Sequence, residues 1–131
     1  MVNNKMTTKI RDYLYLGDQN SVVMKSSTKV TLDLRDWGFD LDPMNSDDDR
    51  WYIYDLLNII TSCVDKEIPI LVHCHAGMDR SPFVIACWIW FDYFCQDKDI
   101  SGLECYDEVK DLHSQTIIHD DWMTWFTCEK S

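Results

Sequence analysis

The order of apolar and polar residues along the chain predicts an alternating series of strands and helices. Short segments with alternating or β-branched character are bounded by glycine, proline or polar residues, which is typical of strands. Longer segments carry apolar residues at helical spacing. The predicted elements are strands over 10–17, 29–34 and 70–72, helices over 18–27, 51–66, 83–94 and 101–112, a last helix from 120 or 121, and a loop over 35–50. This order predicts an α/β fold, a three-layer sandwich with a small, mostly parallel central sheet flanked by helices.

One stretch, ILVHCHAGMDRSP over 70–82, combines a buried strand, a tight loop and the start of a very apolar helix. A strand that leads through a short loop to a helix N-terminus forms an anion cradle. The backbone N–H groups of the loop point inward, and the helix dipole adds partial positive charge. The stretch therefore predicts a phosphate-binding loop at the carboxyl edge of the sheet.

The residues at the two ends of this loop indicate phosphoryl-transfer chemistry. Five residues separate Cys74 from Arg80, so the loop can wrap one tetrahedral phosphate. Arg80 supplies a permanent positive charge and a bidentate contact, and a thiolate at Cys74 would face the phosphorus for in-line attack. The same positive charges are expected to lower the pKa of Cys74 and make it sensitive to peroxide. Ser81 is placed to donate a hydrogen bond to the sulfur and help it leave.

The pattern His73-Cys74-x5-Arg80-Ser81 resembles the signature of the cysteine-dependent protein tyrosine phosphatases. The continuation into Pro82 is similar to the small dual-specificity branch, as is the segment LYLG over 14–17. This resemblance implies a single catalytic domain over 1–131 that hydrolyses phosphomonoesters through a phosphocysteine intermediate. It also implies that the loop residues bind the substrate phosphate together with Arg80, namely His75, Ala76, Gly77, Met78 and Asp79.

The resemblance further implies a general acid, an aspartate on a loop some thirty residues before the cysteine. The aspartate-rich loop over 35–50 occupies that position. Asp42 lies 32 residues ahead of Cys74 and is followed by a proline, which restricts it to an extended conformation. Asp42 is therefore the predicted acid, and Asp40 is the alternative. Asp36 and Asp47–Asp49 remain open, because the Trp-Pro-Asp pattern of the family is absent.

Two further loop positions receive an interpretation. His73 is expected to orient the loop and tune Cys74 rather than act as a base, because its backbone belongs to the strand. Asp79, next to Arg80, resembles the Gly-x-Asp-Arg ending of myotubularin-like phosphoinositide phosphatases. It is alternatively expected to form a salt bridge that holds Arg80 in shape.

The composition limits the cellular compartment and the binding partners that we expect for this chain. The net charge of −11 disfavours nucleic acid and anionic membranes as partners. The N-terminal segment lacks an apolar secretory region, and no apolar run reaches membrane-spanning length, so we expect no membrane insertion. The six cysteines are scattered without a CxxC pair, and thiolate chemistry requires a reducing, cytoplasmic setting. The sequence His73-Cys74-His75 is not expected to hold a metal, and neither a metal nor another cofactor is predicted.

The function predicted from these features is that of a protein-tyrosine or dual-specificity phosphatase. Its expected partner is a protein carrying phosphotyrosine, with phosphoserine or phosphothreonine as further substrates, and the chain is expected to be a monomer. The alternatives are a phosphatase for phosphoinositides or RNA 5′ ends and a catalytically inactive phosphate-binding module. Intact Cys74, Arg80 and Ser81 argue against the inactive module.

Overall fold

The computed structural model describes residues 8–17, 30–34, 47–74, 80–118, 120–123 and 125–126. Within these ranges the chain forms four strands, three α-helices and a 3-10 helix. The elements are β1 (Thr8–Arg11), β2 (Leu14–Gly17), β3 (Val30–Asp33), α1 (Asp47–Asp65), β4 (Ile70–His73), α2 (Arg80–Cys95), α3 (Gly102–Leu112) and the 3-10 helix Asp120–Met123. The helix predicted over 18–27 lies outside the described residues.

The four strands form one mixed sheet in the order β1-β2-β4-β3. Both neighbours of β4 run parallel to it, and only β1 pairs antiparallel, with β2. The predicted α/β fold with a mostly parallel sheet is confirmed. Because β2, β3 and β4 run in the same direction, their carboxyl ends lie along one edge of the sheet. The chain enters the predicted phosphate loop at that edge.

The first predicted strand, 10–17, is wrong in one respect: it is a hairpin of two strands. The backbone turns at Asp12 and Tyr13, and Tyr13 has a positive φ of 72° that no strand residue adopts. The carbonyl of Tyr13 accepts a hydrogen bond of 2.8 Å from the amide of Ile70, which ties the turn to the start of β4. Alternating residues on both arms of the hairpin resembled one continuous strand, because the turn contains neither glycine nor proline.

Helix α1 begins at Asp47, four residues before the predicted start at Trp51. Its buried stripe follows the predicted spacing, and Ile53, Leu57 and Ile60 are fully buried. The first four residues of the helix, 47–50, are the last four of the segment that the sequence assigned to the loop. Their run of aspartates indicated a loop, although aspartate is also favoured in the first turn of a helix.

Helix α2 is the central helix, in contact with β2, β4, α1 and α3. Its residues from Ser81 to Ile89 are all buried, so this helix is apolar on every side rather than amphipathic. The predicted capping box of α3 is confirmed. The hydroxyl of Ser101 accepts from the amide of Glu104 at 3.1 Å, and the carboxylate of Glu104 accepts from the amide of Ser101 at 3.0 Å.

The C-terminal part of the described chain closes the core with large aromatic rings. As predicted, this part buries Trp122, Trp125 and Phe126. The last predicted helix begins at Asp120, but its first four residues form a 3-10 helix. Phe83 of α2 packs against Trp122 with ring centroids 5.1 Å apart. The core thus holds the first turns of α2 against the end of the described chain.

Candidate active site

Cys74 follows the last residue of β4, the central strand of the described sheet. All four residues of that strand are buried, and the strand is flanked by strands on both sides. Cys74 itself is only 3% exposed. The carboxyl end of a central parallel strand is where α/β proteins place ligand sites, so the thiol occupies a position suited to chemistry.

Ser81 lies directly against this thiol. Its Oγ is 3.2 Å from Cys74 Sγ, and Ser81 has no exposed surface. Either atom can be the donor in the neutral pair, but only the hydroxyl can donate once the sulfur is a thiolate. The geometry therefore provides a hydrogen-bond donor to a charged sulfur.

Arg80 is the first residue of α2 and is partly exposed. The described first turn of this helix contains no acidic residue, so no carboxylate there offsets the positive end of the dipole. The end of β4 and the start of α2 thus bring the hydroxyl of Ser81 to the thiol of Cys74, and Arg80 precedes Ser81 as the first residue of the helix. The catalytic roles of Cys74, Arg80 and Ser81 stay predictions.

His73 is the last residue of β4 and is 3% exposed. Its Nδ1 lies 3.4 Å from the carbonyl oxygen of Cys74 and 4.0 Å from Oδ1 of Asp33. Asp33 is the register partner of His73 at the end of β3. Sequence reasoning missed Asp33, although a signal was present: a polar residue ends a strand that runs parallel to the strand before the cysteine.

Other predicted site residues lie outside the described residues. These are the loop residues His75, Ala76, Gly77, Met78 and Asp79, and the candidate acids Asp42, Asp40 and Asp36. Asp47–Asp49 are described only in their backbone, which is helical rather than part of a loop. The assignment of the general acid to Asp42 stays a prediction.

Two buried thiols elsewhere in the core have a raised pKa. Burial raises the pKa of Cys87 well above its usual range. Burial, followed by the charges of Glu108 and Glu104, raises the pKa of Cys105 to about 12. These groups remain protonated at neutral pH and are unsuited to nucleophilic attack. The five cysteines in the described ranges are thiols rather than disulfides.

In the part of the chain that the structure describes, no three His, Cys, Asp or Glu side chains are grouped so as to hold a metal ion. None of the described helices is both long enough and apolar enough to cross a membrane.

Comparison with known proteins identifies the class. Residues 2–92 match the model of the family described as Tc-R-P, polymorphic toxin system, DSP-PTPase phosphatase. This match covers most of the chain, and the chain belongs to that family. Comparison of the sequence with curated proteins gives no match.

Solved structures with the same fold include phosphatases from distant organisms. OH1 from the Orf virus, a tyrosine phosphatase with triple substrate specificity, is 16% identical, with a TM-score of 0.74 over 93% of this chain and 87% of that chain. The human tyrosine phosphatase-like serine/threonine/tyrosine-interacting protein is 13% identical, with a TM-score of 0.73 over 95% of each chain. A leucine-rich repeat and phosphatase domain protein from Entamoeba histolytica is 12% identical, with a TM-score of 0.73 over 95% of this chain and 90% of that chain. The chain thus has the dual-specificity and tyrosine phosphatase fold.

Proposed function

We propose that this chain is an active protein-tyrosine or dual-specificity phosphatase that works through a phosphocysteine at Cys74. The observation that carries the proposal is the 3.2 Å contact between Cys74 Sγ and Ser81 Oγ at the meeting point of β4 and α2. A thiol that only filled space in the core would not need a buried hydroxyl beside it. Membership of the phosphatase family supports the same conclusion.

In the first step of the proposed reaction, the Cys74 thiolate attacks phosphorus in line with the leaving oxygen. The S–P bond forms, the O–P bond of the substrate breaks, and a general acid gives its proton to the leaving oxygen. The Arg80 guanidinium and the backbone N–H groups of residues 75–79 stabilise the equatorial oxygens of the transferring group. Asp42 is our candidate for the acid, with Asp40 as the alternative.

In the second step, water attacks the phosphocysteine. The same carboxylate, now ionised, takes a proton from the water as the O–P bond forms and the S–P bond breaks. Sulfur leaves as a thiolate, and Ser81 stabilises that charge by donating its hydroxyl hydrogen. Phosphate is released and the enzyme returns to its starting state, with no metal or other cofactor required.

The proposed substrate is a phosphorylated protein, with phosphotyrosine first and phosphoserine or phosphothreonine as further substrates. The net charge of −11 disfavours phosphoinositides in an anionic membrane and RNA 5′ ends, since both bring further negative charge. We propose a monomer that acts in a reducing, cytoplasmic compartment, because the thiolate must stay reduced. A phosphatase domain of a polymorphic toxin system would need such a compartment wherever it acts.

The test is hydrolysis of para-nitrophenyl phosphate across pH by the wild type and by Cys74→Ser. Cys74→Ser is expected to abolish turnover while the thermal unfolding midpoint stays close to that of the wild type. Release of phosphate from phosphotyrosine and phosphoserine peptides, a phosphoinositide and a 5′-phosphorylated RNA then compares the substrate classes. Absence of wild-type turnover on every substrate, with phosphate binding retained, would contradict an active enzyme and favour the binding module.

Asp42→Asn and Asp40→Asn form a matched pair for the general acid. Both remove one negative charge from the same predicted loop, so a general loss of loop charge would affect them alike. Replacement of the true general acid by asparagine is expected to remove the basic limb of the enzyme's pH–rate profile. Retention of that limb in Asp42→Asn would move the role to Asp40 or a neighbouring aspartate.

A further inference from the structure

Asp33 and His73 end neighbouring parallel strands in register. His73 of β4 has two register partners: Asp33 of β3 on one side and Gly17 of β2 on the other. Side chains of register partners project to the same face of a sheet. Since Gly17 has no side chain, the imidazole has a side-chain neighbour in register only on the Asp33 side.

The position of the His73 ring indicates which nitrogen carries the proton. Two acceptors lie near Nδ1: the carbonyl oxygen of Cys74 at 3.4 Å and the carboxylate of Asp33 at 4.0 Å. An acceptor on a ring nitrogen favours the tautomer that is protonated at that nitrogen. A buried imidazole between a carbonyl and a carboxylate is therefore expected to hold its proton on Nδ1.

We propose that Asp33 is a positioning residue for the Cys74 loop, an inference that rests on the proposed function. Its carboxylate keeps the proton of His73 on Nδ1, so that Nδ1 donates to the Cys74 carbonyl. That hydrogen bond fixes the peptide unit from which the thiol projects. Asp33 thus acts on the Cys74 loop through His73.

The partial exposure of Asp33 fits this role. Its side chain is 37% exposed, whereas the side chain of His73 is 4% exposed. The carboxylate can remain ionised in contact with water while one oxygen faces the buried ring. A fully buried carboxylate would carry a large desolvation cost at this position.

The experiment compares Asp33→Ala and Asp33→Asn with the wild-type full chain. Asp65→Asn is the matched charge control, because Asp65 is exposed and ends α1 close to the opposite edge of the sheet. Long-range proton–nitrogen correlation spectra report the tautomer of the His73 ring, whose signals are assigned by their loss in His73→Gln. Steady-state kinetics with para-nitrophenyl phosphate report kcat and KM separately.

In Asp33→Ala, the His73 population with the proton on Nδ1 is expected to fall. We expect kcat to decrease about ten- to a hundredfold, as when a carboxylate that orients a functional histidine is removed. KM should stay within about twofold, because the loss concerns the transition state rather than substrate binding. Asp33→Asn keeps an acceptor oxygen and should retain more of the wild-type tautomer and rate, and Asp65→Asn should match the wild type in both.

An unchanged tautomer in Asp33→Ala, or a kcat that falls equally in Asp65→Asn, would overturn the inference. If Asp33→Ala fails to fold, Asp33→Asn decides by the same two measurements. Absence of turnover in the wild type would refute the proposed function and not this inference. In that case the His73 tautomer in the variants still decides whether Asp33 orients the ring.

Discussion

Removal of the Ser81 hydroxyl tests the second half of the proposed reaction. Ser81 has no exposed surface and lies 3.2 Å from Cys74 Sγ, so water is not expected to replace the lost donor in Ser81→Ala. The hydroxyl matters most when sulfur leaves with negative charge, which happens as the phosphocysteine is hydrolysed. The variant should therefore form the intermediate readily and break it down slowly.

The size of the effect follows from the charge on the acceptor. A hydrogen bond to a charged group contributes roughly 1.5–3 kcal/mol. Each 1.36 kcal/mol corresponds to a tenfold change in rate, and sulfur is a weak acceptor, so we expect the second step to slow by about tenfold. The free energy of unfolding should fall by about 1 kcal/mol, as for the loss of one ordinary hydrogen bond.

The assay is stopped-flow release of para-nitrophenolate. Ser81→Ala should show a burst approaching about one product per enzyme, followed by slow steady turnover, and mass spectrometry should detect the phosphoenzyme. Thr116→Val is the matched control, because Thr116 is also buried and its hydroxyl donates to the carbonyl of His113 at 2.8 Å. The reasoning would be refuted if Ser81→Ala reduced the rate of the first turnover and the steady-state rate equally. A burst in Thr116→Val would refute it as well.

Two further predictions concern thiol reactivity and packing. Iodoacetamide at neutral pH should alkylate Cys74 in the native protein and leave Cys105 intact until the chain is denatured, because the pKa of Cys105 is raised to about 12. Peptide mapping by mass spectrometry measures the labelling of each cysteine. Equal labelling of the two cysteines in the native protein would contradict this prediction. Gly102→Ala should lower the free energy of unfolding by about 1–3 kcal/mol in urea titrations, because its new Cβ would collide with the buried ring of Phe126. Alanine at the half-exposed neighbour Leu103 should have a smaller effect, and an unchanged midpoint for Gly102→Ala would show that the ring can yield.

Much of the fold was predictable because local signals agreed with the tertiary structure. The capping box at Ser101 and the apolar run of β4 each had one reasonable interpretation. The hairpin at Tyr13 was not predictable from turn residues, because a tyrosine with positive φ replaces the expected glycine or asparagine. The early start of α1 was hidden because aspartates are typical both of loops and of first helical turns.

The sequence also indicated some residues of the candidate site and missed another. Cys74, Arg80 and Ser81 are close in the chain, so their spacing alone was enough to predict a shared site, and the structure places Ser81 Oγ 3.2 Å from Cys74 Sγ. Asp33 is distant in the chain and reaches His73 only through strand register, which depends on the order of strands in the sheet. Register between distant parallel strands is a tertiary property, so the polar residue at the end of β3 was a signal that composition and spacing alone could not connect to His73.

The burial of α2 explains why this site needs the core around it. A loop of five residues can join Cys74 to Arg80 only if the helix N-terminus is held close to the end of β4. An amphipathic surface helix would be held on one side, whereas α2 is packed on all sides over its first two turns. Phe83 anchors this part through contacts with Trp122 and with Phe126. Ser81 precedes that anchor by two residues, so the packing that stabilises the fold also fixes the distance from the hydroxyl to the thiol.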